Sequence, residues 1–169
     1  MKNKCLVIAV SLLSLTLTIS AQKPLTDAQT YADAGKKCDQ AIDNENEKNA
    51  EVLCKTALDI ANQLPAKNKT DKMKAYEKYA FTLFSQYKFQ DALDNYTKAF
   101  DIGKTFLTAS DADLAYAYLN LGRASQGLSK LDTAEENFIK AEKIYRAAYA
   151  KSEDSALKDK YKSETMELD

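Results

Sequence analysis

Histidine and tryptophan are both absent from the 169 residues. Without histidine the chain lacks the commonest general base and the commonest metal ligand. Glycine occurs 4 times and proline twice. Such scarcity leaves no Gly-rich phosphate loop and suits a chain that is mostly helix. No basic excess exists, because 24 Lys and Arg face 25 Asp and Glu, for a net charge of −1. Nothing there would neutralise a phosphate backbone, which argues against nucleic acid as a partner. Cysteine is rare at 3 residues, and the two that follow residue 21, Cys38 and Cys54, cannot complete a tetrahedral zinc site without carboxylates. No cofactor or metal is implied.

Only one long apolar run is present, and it lies at the start. Lys2 and Lys4 precede an uncharged stretch from Cys5 to Ile19, which ends in Ser20 and Ala21 before Gln22. A basic flank, an apolar centre and small residues at the end are the layout of a secretory signal peptide, here residues 1–21 with cleavage after Ala21. The run is short of the roughly 20 residues needed to span a bilayer. Cleavage would remove Lys2 and Lys4, taking the net charge from −1 to −3. The expectation is an exported chain, periplasmic or secreted, with no membrane span after cleavage.

What the sequence does contain is a 42-residue period. Ala50, Cys54, Ala57 and Ile60 are followed by Ala92, Tyr96, Ala99 and Ile102, then by Ala134, Phe138, Ala141 and Ile144. Thr26, Asn68, Ser110 and Ser152 form a parallel series of residue types that cap helix N-termini. A fixed period of this length means stacked units that bury their apolar faces on one another. Each unit reads as two antiparallel helices. In the second, Met73, Tyr76, Tyr79, Ala80, Leu83 and Tyr87 follow helical spacing on the first helix, and Ala92, Leu93, Tyr96, Ala99 and Phe100 do so on the second. In the third, Leu114, Tyr118, Leu121, Gly122 and Ser125 face inward. Ala80, Ala92, Ala99, Gly122, Ala134 and Ala141 are expected where helix axes approach closely. The units span 26–67, 68–109 and 110–151. A mostly polar helix over 152–169, with Ala156, Leu157, Tyr161 and Met166 as its apolar stripe, is expected to cap the stack.

Tyr118, Leu121, Gly122, Ala134, Phe138 and Ala141, with Tyr76, Tyr79, Ala80, Ala92, Tyr96 and Ala99 one unit earlier, form a pattern similar to the tetratricopeptide repeat (TPR). Asn120-Leu121-Gly122 matches that family's best-known tripeptide. The 42-residue period resembles the longer variety found in kinesin light chains. The resemblance implies an all-α, right-handed solenoid of antiparallel helix hairpins, about three TPR-like repeats over 22–169. The first unit departs from the pattern, with Ala34, Lys37 and Cys38 replacing aromatic, Leu and Gly. Cys38 takes a small-residue position and Cys54 an aromatic one, and in a hairpin of this family the two face each other. An exported chain meets an oxidising compartment, so a Cys38–Cys54 bridge is expected. Two buried thiols acting as small hydrophobes are the alternative.

In the resembled family a second face of each first helix lines a concave groove that holds peptides or extended segments. Here that face carries Lys74, Glu77, Lys78, Phe81 and Phe84, then Tyr116, Leu119, Asn120, Arg123 and Gln126. Phe81, Phe84 and Tyr116 are candidate anchors, because aromatic residues with nearby Arg dominate binding energy. Packing of Phe81 and Phe84 against an adjoining helix is the competing assignment. Lys74, Lys78 and Arg123 would favour an acidic segment, with Asn120 as a partial match to the family's carboxylate clamp. The function expected is an exported, non-enzymatic module that binds a protein or peptide in this groove. A self-associating structural subunit, hence a homo-oligomer, is the alternative. A carboxylate-based hydrolase comes third, since it needs two carboxylates held at a fixed separation in a cleft.

Overall fold

The computed structural model describes residues 27–108, 111–151, 159 and 162. Six helices occupy them: α1 Asp27–Asp43, α2 Glu47–Gln63, α3 Lys69–Ser85, α4 Phe89–Gly103, α5 Ala112–Gly127 and α6 Leu131–Lys151. The first residues of α2, α4 and α6 are spaced by the sequence period. Helices pair as α1/α2, α3/α4 and α5/α6, and α2/α3 and α4/α5 join one pair to the next. Contacts therefore run between sequence neighbours, which is the organisation of a solenoid. The signal-peptide assignment, the caps Thr26, Ser110 and Ser152, and the capping helix (apart from Asp159 and Lys162) lie outside the described residues.

The small residues sit where the period put them. Ala80, Ala92, Ala99, Ala134 and Ala141 are buried between helices. At Gly122 a Cβ would lie 2.4 Å from the Phe138 ring. Leu83, Ala92, Tyr96, Leu121 and Ala124 join α3, α4 and α5 in one apolar cluster. Leu58, Ala61, Leu64 and Ala75, flanked by Tyr31, Tyr76 and Tyr79, join α2 to α3. Lys98 and Lys140 each place Nζ 5.7 Å from the centre of a ring, Tyr76 and Tyr118 respectively.

The turn inside each hairpin is built the same way three times. Glu45, Tyr87 and Ser129 have φ of 54°, 59° and 59°. Around them Asn46 N–H donates to Ala41 O, Lys88 to Leu83 O and Lys130 to Ser125 O. The left-handed residues themselves donate to Ile42, Phe84 and Gln126 carbonyls. This pair of bonds satisfies the last carbonyls of the first helix and reverses the chain. None of the three is glycine, so each carries a left-handed backbone at about 1 kcal/mol of steric cost.

Two sequence expectations change. Tyr87 is 81% exposed rather than buried, because it has left the helix and sits in the left-handed turn position. Asn68 does precede α3 but makes no side-chain cap bond. Its Nδ2 instead donates to Asp71 Oδ2 at 3.1 Å. The residue preceding α5 is Asp111, whose carboxylate accepts from the Thr108 hydroxyl at 3.0 Å. By contrast, Asn46 caps α2 by accepting from Asn49 N–H at 3.2 Å.

Candidate functional site

The seven candidate groove residues do not form one surface. Phe81 is 41% exposed and Tyr116 is also exposed. Lys74 is exposed. Lys78 is engaged by Asp39 of α1, at 2.6 Å to Oδ1 and 2.8 Å to Oδ2. Phe84 packs on the cluster around Leu83 and Tyr96, and its ring centre lies 5.4 Å from that of Phe89. Asn120 is 2% exposed, with Nδ2 lacking a partner, so it is no part of an open surface. Leu119, expected beside it, is buried with Ala115, Ala141 and Tyr145. Both are covered because helices pack on α5 from more than one side. Arg123 is half-buried and close enough to Tyr96 to act on its phenol, whose pKa burial raises above the ordinary value.

Glu77, on the same face, has an environment unlike that of its neighbours. Its Oε1 is buried with no hydrogen-bond partner. Burial, helped by the nearby Asp113 carboxylate and opposed by Lys74, raises its pKa to about 7. A carboxyl that cannot be solvated keeps its proton. Two other residues tie the first two units together. Tyr31 donates its hydroxyl to Asp71 O at 2.9 Å, with its pKa pushed up to about 12 by burial and by Asp71 and Asp39. Lys88 holds both oxygens of Glu51 at 2.9 and 2.8 Å, and this bond holds the Glu51 carboxyl below its ordinary value. Asp39 was legible in the sequence, since it stands one period before Phe81.

The Cys38–Cys54 bridge is formed, with S–S 2.05 Å and Cα atoms 4.7 Å apart. Both residues are fully buried, beside Ala57. Glu135 and Glu136 are exposed. Among the described residues no group of three or more His, Cys, Asp or Glu could hold a metal ion. None of the described helices is long and apolar enough to cross a membrane.

Beside Phe81 lies an open cleft of about 420 Å³, between the α1–α2 turn and the end of α3. Ala41, Ile42, Ala50 and Phe81 give it apolar lining, and Ser85, Glu45 and Glu47 add polar groups.

No family model matches the chain, and no curated protein does. Solved structures do. The N-terminal domain of stress-induced protein-1 (STI-1) from C. elegans superposes with a TM-score of 0.57 at 18% identity, over 83% of this chain and 98% of that one. BtubC (BKLC) from P. vanneervenii gives 0.55 at 13% identity, over 86% of this chain and 74% of that one. The fold is a TPR-like helical solenoid. At these identities the likeness concerns the fold. Solenoids of this kind present a continuous surface from successive units.

Proposed function

We propose that this protein is an exported, non-enzymatic interaction module. It binds an extended segment of a partner along the face to which α1, α3 and α5 contribute. The observation that carries the reading is the exposed Phe81 ring beside an open cleft. Large aromatic side chains in such pockets dominate binding energy. The repeat fold supports a binding role, and the Cys38–Cys54 bridge supports an oxidising compartment. The signal-like run at residues 1–21 points the same way. A preference for acidic segments loses Lys78, which Asp39 already neutralises.

The hydrolase alternative would rest on Glu77, whose carboxyl is raised to about 7 by burial, with Asp113 as its neighbouring carboxylate. Burial of the Glu77 Oε1 favours the binding reading over this one. Self-association has one observation in its favour: Leu131 and Ile139 on α6 are 64% and 57% exposed. Sedimentation over a hundredfold range of concentration separates it from partner binding. A constant monomer mass removes the self-assembly reading. The module reading is tested by cross-linking in the native exported fraction, comparing the natural chain with a Phe81→Ala, Tyr116→Ala variant of unchanged helicity. Partners lost from the variant support the face described. Identical partners for both would refute it.

A further inference from the structure

The cleft beside Phe81 is a vacancy in the repeat. Ile42, Glu45, Glu47 and Ser85 stand one 42-residue period before Phe84, Tyr87, Phe89 and Gly127. One unit on, Phe84 and Phe89 occupy the equivalent space, with Tyr87 at its exposed outer edge and Gly127 leaving room for Phe89. Phe84 and Phe89 pack 5.4 Å apart, and Tyr87 meets Phe89 edge-on at 5.9 Å. Phe89 also lies so close over Gly127 that a Cβ there would sit 2.6 Å from its ring. The first unit supplies one branched aliphatic and two carboxylates instead of three rings. About 420 Å³ is left open as a result.

The chemistry of the gap is specific. Its apolar lining includes the Phe81 ring. None of its lining residues is basic. The turn from residue 43 to 48 carries Asp43, Glu45 and Glu47 against Lys48 alone. Aromatic rings prefer tilted or edge-to-face partners, as the second unit displays. A cation brought beside Phe81 and the carboxylates gains from both the ring face and the charges.

Resting on the interaction-module reading, we propose that this cleft receives an aromatic side chain flanked by lysine or arginine, from an extended segment of a partner protein. The ring takes the place held by Phe89 in the second unit, and the cation meets Glu45 and Glu47.

The test is an amide NMR titration of the ¹⁵N-labelled chain with three capped pentapeptides. They are Lys-Phe-Lys-Phe-Lys, its ring-less form Lys-Ala-Lys-Ala-Lys and its charge-reversed form Glu-Phe-Glu-Phe-Glu. The first should shift the amides of Ile42, Glu45, Phe81 and Ser85, with at least tenfold weaker binding by the other two. A Glu45→Lys, Glu47→Lys variant should weaken the first peptide tenfold or more. A second variant, Ile42→Phe, Glu47→Phe, Ser85→Gly, grafts the counterparts of Phe84, Phe89 and Gly127 into the gap. It should melt at or above the temperature of the natural chain and lose the peptide, which separates blocked binding from misfolding.

Equal binding of the charge-reversed peptide would overturn the proposal. So would shifts confined to Lys74, Tyr116 and Arg123, although that outcome would leave the module reading standing. A concentration-dependent mass abolished by the grafted variant would assign the cleft to a second copy and overturn it as well. No shift with any peptide would also overturn it, and partner loss in the cross-linking comparison would then decide the module reading separately.

Discussion

Replacing Glu77 by glutamine should stabilise this protein at alkaline pH and do little at acid pH. The carboxyl ordinarily titrates at 4.5 and is raised to about 7 in the folded chain, first by burial, then by Asp113. Between those values the folded state holds a proton that the unfolded state has released. Stability therefore falls as pH rises across the interval. The contribution of protonated Glu77 is fully present below 4.5 and is lost as pH passes through about 7. At about 1.4 kcal/mol per pH unit, the loss amounts to about 3 kcal/mol once Glu77 is fully ionised. Glutamine has nearly the same shape and cannot ionise.

The assay is urea unfolding followed by helical circular dichroism, for natural chain and variant, at pH 4.5 and pH 8.5. Other carboxylates act in the opposite sense. Glu51, held below its ordinary value by Lys88, contributes stability that is lost as pH falls. Only the difference between the two proteins isolates Glu77. The expected difference is within about 0.5 kcal/mol at pH 4.5 and about 2–3 kcal/mol in favour of glutamine at pH 8.5. Parallel pH profiles would refute the reasoning, because they would mean that the carboxyl reaches water in the folded state. An Asp113→Asn variant should act on the same group, lowering the pKa of Glu77 by removing a neighbouring negative charge.

Gly122→Ala should cost about 1–3 kcal/mol in urea unfolding, since its Cβ would lie 2.4 Å from the Phe138 ring and force that ring outward; a neutral result would show that the ring is free to move. Ser129→Gly should stabilise by about 0.5–1 kcal/mol, relieving a left-handed φ of 59° at an exposed turn position, and a loss of stability would contradict the turn assignment. Reducing Cys38–Cys54 should lower stability by roughly 3 kcal/mol from the entropy of a loop of this length. Chain cleaved after Ala21 should show no free thiol when denatured without reductant, and two thiols per chain would refute the bridge.

The fold was legible because a stacked repeat writes its packing into the sequence at a fixed interval. Ala92, Ala99, Ala134 and Ala141 are small for one reason, the close approach of paired helices, and that reason recurs every 42 residues. The same interval, read at other offsets, also marks the turns at Glu45, Tyr87 and Ser129. No residue type signals them, since a glutamate, a tyrosine and a serine serve equally where solvent surrounds the side chain. Tyr87 lies two residues beyond the end of α3, where helical spacing no longer says which way a side chain faces. Surface was the harder quantity. Whether Asn120 or Lys78 is open depends on what the neighbouring unit brings against it, and periodicity within one helix carries no information about that neighbour. Here the informative comparison runs between units, position by position. Asp39 at the place of Phe81 explains why Lys78 is occupied, and Ile42, Glu45 and Glu47 at the places of Phe84, Tyr87 and Phe89 explain why a cleft exists. In a repeat protein the regular positions encode the scaffold. A binding surface arises where one unit breaks the pattern that its neighbours keep, because a space shaped for three rings stays open only where the chain declines to supply them.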